Sequence, residues 1–368
     1  MDSKKTIYVA SPIWPSNREP SLGTFVKTIS DGLEQFGWKI NTSCVGRTRY
    51  GGQFGKAVRY SKLCVGLLTL IFKKKGILYI HLPTWFALFC WPAVLIRKFP
   101  LVINLHGSEI HSRRHLSKIT WPLTKKLLKN ANLVISPSDT FKRRVENEIP
   151  GINVFVSPSG GVDADVFKIL SKEHCREIVG IRRDVPVIGY VSRIVPGKGW
   201  KIFLEILHDL ISCDENFIGL IVGDGFERIQ MLKEITNLKL ENNIFFAGAV
   251  EHKDISTYMS SFDAFIFCSK IEDVDTLGLV AIEAMACGTP VVALDTKLTR
   301  EYIIPGLSGE LASEYDSHSF ISAIKRAMKI CRESENARYD ISESVKDYRS
   351  ISVSSHLSEA IEKACNNV

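Results

Sequence analysis

Hydrophobic residues occur in short runs along the whole chain, separated by longer stretches in which apolar positions recur at helical spacing. The runs are short and are bounded by longer segments, which predicts strands alternating with helices. Helical stretches such as Phe25–Phe36 lie between them. The predicted strands are Ile7–Ala10, Lys39–Val45, Leu78–His81, Leu101–Leu105, Leu133–Ser136, Val154–Val156, Val187–Val191, Ile218–Val222, Ile244–Phe246, Ala264–Phe267 and Val291–Ala293.

The alternation of strand and helix occurs twice, on either side of a turn-rich segment at Ser157–Asp163. This rhythm predicts an α/β protein with two Rossmann-like parallel sheets and crossover helices. A length of 368 residues suits two cores better than one. We therefore predict one domain at 1–160 and a second at 161–349. The chain after Ser317 reads as helical and ends in a helix at about 350–368, with its clearest pattern from Val353 to Ala364.

The two halves differ in charge. Residues 1–160 carry 24 Lys and Arg against 8 Asp and Glu, whereas the remainder carries 23 against 32. The overall charge of +7 thus combines a basic half of +16 with an acidic half of −9. Such asymmetry indicates two domains with different partners.

Composition excludes several classes of protein. The longest apolar run, Trp85–Ile96, has 12 residues and contains a proline, which is too short to cross a bilayer. The first residues pass from Lys4 and Lys5 straight into the strand-like Ile7–Val9, unlike a signal peptide. Nine scattered cysteines form no paired framework and indicate reduced thiols. We expect a cytoplasmic protein.

The segment Asp275–Ala293 carries the most chemical information. Two acids, Asp275 and Glu283, stand eight positions apart with Gly278 between them, and a Gly-Thr-Pro break precedes a β-branched run. The pattern predicts a loop, a helix that starts at about Leu279, and a strand. Free N–H groups of Leu279 and Val280 can bind an anion at the helix start, while Glu283 reaches the same ligand from the helix. This arrangement suits a phosphate-bearing ligand with hydroxyl groups on both sides.

The same segment resembles the signature of retaining glycosyltransferases of family 4, which have the GT-B fold. Their pattern is Glu, seven residues, Glu, followed by Ala-Met-Ala-x-Gly-x-Pro-Val-Val, and only the first acid differs here, being Asp275. The resemblance implies two Rossmann-like domains facing each other across a cleft, with the terminal helix crossing back to the N-terminal domain. It also implies that Glu283 binds the ribose of a nucleotide sugar and Asp275 the sugar hydroxyls.

A second motif follows the strand Val187–Val191. Arg193 and Lys198 stand five residues apart in a loop with Gly197 and Gly199. Two cations at the carboxyl end of a strand can stabilise a leaving diphosphate. The string resembles the Gly-Arg-Leu-x-x-x-Lys-Gly motif of the same family, and that match implies this role for the pair.

In the N-terminal half, a buried strand ends in His106, Gly107, Ser108 and Glu109. The carboxyl end of a parallel strand is where α/β sheets place ligands. The resemblance puts His106 at the reacting face of the sugar, with Gly107 allowing a close approach and Glu109 supporting His106 or the acceptor. His81 ends another predicted strand and is a second candidate.

Two further segments resemble ligand-binding parts of the family. Gly23, just before a predicted helix, matches its first glycine loop, although the family usually has two glycines there. Base recognition is expected around Phe246 and Ala247, through backbone groups.

Other chemistries fit poorly. No strand is followed by a complete Gly-x-Gly-x-x-Gly fingerprint, which disfavours a dinucleotide dehydrogenase. Asp273 and Asp275, like Asp163 and Asp165, form Asp-x-Asp pairs, but no His or Cys cluster accompanies them. We predict no metal and no cofactor, with a UDP- or GDP-linked sugar as co-substrate.

Basic residues alternate with apolar ones at Lys56–Lys75 and at Arg113–Lys129, a combination that suits an anionic membrane surface. We expect Arg113–Lys129 to be the main contact. Trp85–Trp91 is interpreted as core. No nucleic-acid-binding module is recognised. The sequence thus predicts a glycosyltransferase of surface polysaccharide synthesis, peripheral to the inner face of the cell membrane, acting on a glycan or lipid-linked acceptor. A nucleotide-sugar epimerase and a catalytically inactive sugar-nucleotide-binding subunit remain alternatives.

Overall fold

The computed structural model describes residues 6–16, 22–46, 52–107, 115–182, 184–213, 216–269 and 277–365, and for 115–120 it describes the backbone alone. By its internal contacts the chain divides into two units. The first comprises the segment up to Gly161 together with the segment from Ser350 onwards, and the second takes most of Val162–Arg349.

The first unit contains a parallel sheet of six strands in the order β2-β1-β3-β4-β5-β6. Its strands are β1 (Thr6–Ser11), β2 (Lys39–Val45), β3 (Ile77–His81), β4 (Leu101–Asn104), β5 (Leu133–Ser136) and β6 (Val154–Val156). Its helices are α1 (Thr24–Gln35), α2 (Gly52–Thr69), α3 (Trp91–Arg97), α4 (His115–Lys129) and α5 (Asp139–Glu148), with short 3-10 helices at Leu70–Phe72 and Trp85–Cys90.

The second unit also contains a sheet of six parallel strands, in the different order β12-β11-β10-β7-β8-β9. The strands are β7 (Val187–Val191), β8 (Ile218–Val222), β9 (Ile244–Gly248), β10 (Ala264–Phe267), β11 (Val291–Leu294) and β12 (Gly309–Ala312). The helices are α6 (Lys172–Val179), α7 (Trp200–Ser212), α8 (Arg228–Asn237), α9 (Ile255–Ser261), α10 (Leu279–Ala286), α11 (Ser317–Glu333) and α12 (Ala337–Glu343).

The inner strands are buried along almost their whole length, because helices cover both faces of each sheet. In β3 and β4 every residue is buried, which explains why these strands read as continuous apolar runs. The edge strand β12 was not predicted. Its sequence, Gly309–Ala312, contains a charge and no β-branched residue, and its middle residues are only half-buried.

The last helix, α13 (Ser350–Cys365), packs on α1 of the first unit. Leu357 and Ile361 lie in the same core cluster as Ile29 and Leu33 of α1. The fit is close, since a Cβ atom added to Gly32 would lie 2.1 Å from the Ser354 hydroxyl. The predicted fold class, with two Rossmann-like domains and a terminal helix returning to the first, is confirmed.

Candidate active site

Four strands of the second sheet end side by side, and their loops contact one another. The loop after β8 packs on the loop after β7, because a Cβ atom at Gly225 would lie 2.1 Å from the Ile194 carbonyl oxygen. The loop after β7 in turn reaches the end of β10, where a Cβ at Gly199 would lie 2.0 Å from the Cys268 carbonyl oxygen. On the outer side, the Gly223 N–H donates to the Gly248 carbonyl over 2.7 Å. These loops form one continuous rim.

The start of α10 lies on the same rim. Gly278 adopts a left-handed conformation, with φ of 72°, as the residue before the helix. Its backbone lies against the Phe267 ring at the end of β10, 2.7 Å from where a Cβ would stand. Both the backbone angle and the close contact favour glycine. The predicted helix start is therefore observed at Leu279, at the end of β10, which the loop carrying Arg193 and Lys198 also contacts.

One face of α10 remains partly accessible. Leu279, Val280 and Glu283 are half-buried, whereas the remaining residues of the helix are buried. Residues three and four positions apart lie on one helix face, so Glu283 stands below the free N–H groups of Leu279 and Val280. A ligand at the helix start could therefore contact both these N–H groups and the Glu283 carboxylate.

The Glu283 carboxyl group lies in an unusual environment. Burial raises its pKa to about 7. Within the described part of the chain no side chain or backbone group donates a hydrogen bond to it, and no cation forms an ion pair with it. A carboxylate that is desolvated without a partner costs free energy, which a ligand's hydroxyl groups could recover.

Arg193 and Lys198 occupy the loop after β7. Lys198 is half-buried, and its pKa is lowered by burial and by the nearby Arg193 guanidinium. Among the residues whose positions the structure describes, no Asp or Glu lies within ion-pair distance of either. Tyr190 supports the loop, since its hydroxyl donates to the Lys198 carbonyl over 3.0 Å. The loop holds two cations at the rim without neutralising them.

Phe246 and Ala247 lie in β9 at the outer end of the rim. The Arg228 guanidinium lies 5.0 Å from the centre of the Phe246 ring and is also 3.3 Å from Asp224. Sequence reasoning missed Arg228 and Tyr190. No sequence motif pointed to these two residues, because each contacts a residue that only the fold brings close to it.

The candidates of the first unit lie at the carboxyl end of β4. His106 follows this strand and Gly107 has a φ of 111°. The Phe25 ring, in the first turn of α1, lies 4.5 Å from the His106 ring, and the His81 ring nitrogen lies 3.2 Å from it. Gly23 caps α1, and its backbone lies against the Ile13 carbonyl group, so packing alone accounts for this glycine.

Asp275, Glu109 and the pair partner Asp273 lie outside the described residues, so their predicted roles rest on sequence. Within the described ranges, no group of three or more His, Cys, Asp or Glu side chains could hold a metal ion. Asp163 instead accepts a hydrogen bond from the Asp165 backbone within its own turn. The described helices also include none that is both long enough and apolar enough to span a bilayer.

Comparison with known proteins identifies two family models. The model of glycosyl transferases group 1 matches residues 171–344, and that of Glycosyltransferase Family 4 matches residues 29–165. A lipopolysaccharide 1,2-N-acetylglucosaminetransferase of Salmonella typhimurium is 27% identical over 262 residues, with 67% of each chain covered. A 2-deoxystreptamine glucosyltransferase of Streptomyces kanamyceticus is 35% identical over 108 residues, which cover 29% of this chain and 27% of that protein.

Solved structures share the fold. Sucrose-phosphate synthase of Thermosynechococcus elongatus superposes with a TM-score of 0.76 at 18% identity, covering 99% of this chain and 100% of that one. HepE of Anabaena, solved with UDP, superposes with a TM-score of 0.70 at 21% identity, covering 98% and 100%. The two family models together span most of the chain and support glycosyltransferase activity with a nucleotide-sugar donor. The chain is thus similar to Glycosyltransferase Family 4 in its N-terminal half and to glycosyl transferases group 1 in its C-terminal half.

Proposed function

We propose that this enzyme transfers a sugar from a UDP- or GDP-linked donor to a glycan acceptor with retention of the anomeric configuration. The observation that carries the proposal is the rim of the second sheet, where two unneutralised cations and an unpartnered, buried carboxyl group lie beside one helix start. A nucleoside diphosphate has the complementary groups, namely two phosphates and a ribose with paired hydroxyls.

Each group then has a chemical role. Arg193 and Lys198 stabilise the negative charge that develops on the leaving diphosphate, as divalent cations do in other enzymes. The N–H groups of Leu279 and Val280 bind a phosphate at the helix start. Glu283 accepts hydrogen bonds from the ribose, and β9 around Phe246 and Ala247 receives the base. Asp275, His106 and Glu109 contact the donor sugar or the acceptor hydroxyl.

A donor panel tests this division. Thermal shift and donor hydrolysis would be measured with UDP- and GDP-sugars, with the free nucleoside diphosphates as controls. The Glu283→Ala variant should bind even the free nucleoside diphosphate more weakly, whereas the Asp275→Ala variant should lose affinity only for the complete donor. Equal losses of both ligands in both variants would contradict the assignment. HepE has been solved with UDP and glucose, which supports testing UDP-glucose first.

The alternatives give different outcomes in the same assay. A nucleotide-sugar epimerase would convert its donor with no acceptor present. An inactive sugar-nucleotide-binding subunit would bind the donor without converting it. If activity was lost because aspartate is shorter than glutamate at position 275, the Asp275→Glu variant would regain it. A transferase needs both substrates, and the anomeric configuration of its product decides between retention and inversion.

The acceptor, we further propose, is lipid-linked and reached at an anionic membrane surface on the cytoplasmic side. The support is an apolar-basic patch on the first unit, in which Phe72, Leu95 and Ile96 are 83%, 66% and 72% exposed. The Arg97 side chain donates to the Lys73 carbonyl over 3.2 Å, which joins the end of α3 to the segment after α2. The patch comprises Leu68, Phe72, Lys73, Lys74, Lys75, Leu95, Ile96, Arg97 and Lys98.

Apolar side chains surrounded by cations suit the boundary between lipid headgroups and acyl chains, because the apolar side chains contact the acyl chains and the cations contact the anionic headgroups. Residues 51–100 contain no Asp or Glu that would oppose this attraction. The described part of Arg113–Lys129 is less suited to a membrane contact than this patch. There Lys125 lies 3.6 Å from Glu148, and Leu123 is the most exposed apolar residue at 50%. Trp85–Trp91 packs as interpreted, with Phe86 and Cys90 buried.

Vesicle co-sedimentation tests the membrane proposal. We expect binding to anionic vesicles that weakens steeply as salt rises, and poor binding to neutral vesicles. Serine at Phe72, Leu95 and Ile96 together should release the protein more completely than glutamine at Lys125, Lys126 and Lys129. The reverse order would assign the contact to α4. No binding at any salt concentration would remove the lipid-linked acceptor from the proposal.

A further inference from the structure

Three of the six tryptophans lie half-buried in one region of the first unit. Trp85 begins the 3-10 helix that follows β3, Trp91 comes directly after that helix, and Trp121 lies in α4. All three pack against the same core cluster, together with the half-buried Tyr60 of α2. Both α2 and α4 pack on the 3-10 helix, so these four residues form one aromatic surface.

The geometry of the 3-10 helix explains why two of these tryptophans share one edge. Side chains three residues apart eclipse one another in such a helix, and Trp85, Leu88 and Trp91 are spaced in this way. All three are half-buried, whereas Phe86 and Cys90 are buried in the core. The buried residues anchor the segment, and the remaining edge presents two indole rings at the surface.

The indole N–H groups divide the six tryptophans into two sets. The three outside the aromatic surface are buried, and two of them, Trp38 and Trp200, donate from the indole N–H to a side chain. For Trp85, Trp91 and Trp121, no group in the described part of the chain accepts from the indole N–H, and none of these nitrogen atoms is buried. The aromatic surface therefore offers three N–H donors, beside its rings, to a polar ligand.

Neighbouring rings hold the Trp85 side chain in place. The Tyr60 ring stacks on it, with 5.0 Å between the ring centres and an inclination of 25°, and the Phe89 ring lies nearly edge-on at 6.4 Å. Tyr60 is itself held by the buried Phe86 ring at 6.2 Å. Aromatic side chains that are already fixed lose little conformational entropy when a ligand binds. Trp85 thus provides a rigid, flat contact with a donor at its edge.

A sugar ring has the chemistry that matches this surface. Its C–H groups are weakly positive and pack on the electron-rich face of an aromatic ring, while its hydroxyl groups accept from N–H donors. The location also fits a ligand, because Trp85 stands four residues after His81, the last residue of β3, and parallel sheets bind ligands at the carboxyl ends of their strands. The apolar-basic patch differs in both respects, since Phe72 is 83% exposed and precedes the amino end of β3.

The charge around the aromatic surface selects among sugars. Three Lys or Arg residues lie in α2 and four in α4, whereas these helices and the 3-10 helix contain no Asp or Glu. Glu148 of α5, 3.6 Å from Lys125, offsets one of these seven charges. Such a field attracts carboxylate and phosphate groups and repels ammonium groups.

We propose that the aromatic surface of Tyr60, Trp85, Trp91 and Trp121 is a subsite that stacks a pyranose ring of an acidic glycan acceptor. The Trp85 indole provides the stacking face, and its N–H group donates to a hydroxyl group of the sugar. This assignment rests on the proposed function, because it names the chemical class of the acceptor in that reaction. The subsite itself lies wholly within the first unit.

An oligosaccharide array tests the subsite without a donor and without turnover. The full chain would be applied to neutral, acidic and amino oligosaccharides at several salt concentrations. We expect the acidic ones to bind best, with affinity that falls as salt rises. Saturation-transfer NMR with the best binder should show the C–H protons of one ring face closest to the protein. No binding to any oligosaccharide, or equally tight binding of neutral or amino ones, would overturn the proposal.

Variants of Trp85 test which group makes the contact. Trp85→Leu removes the ring, whereas Trp85→Phe keeps an aromatic face and removes the indole N–H. We expect glycan affinity to fall about tenfold in the first variant and roughly twofold to fivefold in the second. Tyr339→Leu is the matched control, because Tyr339 is an exposed aromatic residue in α12 of the second unit. Thermal melting shows whether each variant folds, and unchanged affinity in a folded Trp85→Leu variant would overturn the proposal.

The same variants separate this proposal from the proposed function. Nucleoside diphosphate affinity and donor hydrolysis should be unchanged in Trp85→Leu. If no nucleotide sugar binds but oligosaccharide binding depends on Trp85, the proposed function fails and the glycan subsite stands. If no oligosaccharide binds and Trp85→Leu instead weakens binding to anionic vesicles, the aromatic surface contacts lipid and the subsite proposal fails.

Discussion

Both sheets consist of six parallel strands, but their strand orders differ and their functional edges are chemically unlike. In the second unit the edge carries charge without partners, namely Arg193 and Lys198 in one loop and Glu283 in α10. In the first unit the edge carries neutral groups that bind one another, with His81 and His106 in contact and Asn104 bonded to Tyr79. The edge of the second unit thus offers charged groups to a ligand, whereas the edge of the first unit offers neutral polar groups.

Under the proposed function, the two edges divide the work of a two-substrate reaction. Unneutralised charge binds a diphosphate strongly and stabilises its departure. Neutral, mutually fixed donors provide direction instead, which is what selects one hydroxyl group among several on a sugar. Experiments on one edge should therefore affect chiefly binding and bond cleavage, whereas experiments on the other should affect turnover with little change in nucleotide affinity.

The largest effect is expected at Lys198. The Lys198→Ala variant should lower kcat by about 100-fold or more, because the diphosphate then departs with one cation fewer. Steady-state kinetics with the complete donor measures this. Lys201→Ala is the matched control, since Lys201 is an exposed cation three residues away in α7. Full turnover in the Lys198 variant would remove this residue from the site.

A pH dependence is expected at Glu283. Ribose hydroxyls donate to the ionised carboxylate, and the pKa of this group in the unliganded protein is about 7. Nucleoside diphosphate affinity should therefore be full above this pH and fall towards about tenfold per pH unit below it. Calorimetric titration across the range measures the slope. The Glu283→Gln variant should bind more weakly and should lose the part of the pH dependence that Glu283 causes. Any pH dependence that remains in this variant comes from protonation of the phosphate.

The folding stability of the unliganded protein should also depend on the ionisation of Glu283, but in the opposite direction, because it should fall as the pH rises. Because the folded-state pKa of Glu283 exceeds its ordinary value of 4.5, folding favours the protonated form. The contribution to stability is present at low pH and is lost as the pH rises through about 7. The difference in melting temperature between the natural chain and the Glu283→Gln variant should accordingly shrink as the pH falls. A difference that stays constant with pH would contradict this.

A smaller effect is expected at Tyr190, which acts through the backbone. The Tyr190→Phe variant removes the hydroxyl group, which donates to the Lys198 carbonyl and is also hydrogen-bonded with Ser192, so kcat should fall by roughly threefold to tenfold, the range for the loss of neutral hydrogen bonds. Unchanged kinetics would show that the loop keeps its shape without this contact.

The smallest effect is expected at Arg228. The Arg228→Ala variant loses the guanidinium that covers the Phe246 ring, so nucleoside diphosphate affinity should change by roughly twofold to fivefold. The direction of the change in affinity shows how Arg228 affects binding of the base. Weaker binding means that Arg228 helps to hold it, and tighter binding means that the guanidinium occupies the face the base needs.

Most of the fold could be predicted from the sequence, because parallel strands covered on both faces leave continuous apolar runs such as Leu133–Ser136. The start of α10 could also be predicted, since Gly278 and the residues after it are local signals. The unpredicted features are pairings between distant residues. Tyr190 meets the Lys198 carbonyl only through a loop turn, and His81 meets His106 only because β3 and β4 are neighbours in register.

The position of α13 has a consequence for the order in which this protein can fold as it is synthesised. Ile7 and Val26, made before the second unit, share a core with Leu357 and Ile361, made after it, and the Trp38 indole donates to the Ser358 hydroxyl over 2.8 Å. Domains usually fold as they emerge from the ribosome. Here the first unit cannot be completed until α13 has been made, whereas the second unit can be complete before α13 exists, so of the two units the one that begins first is finished second.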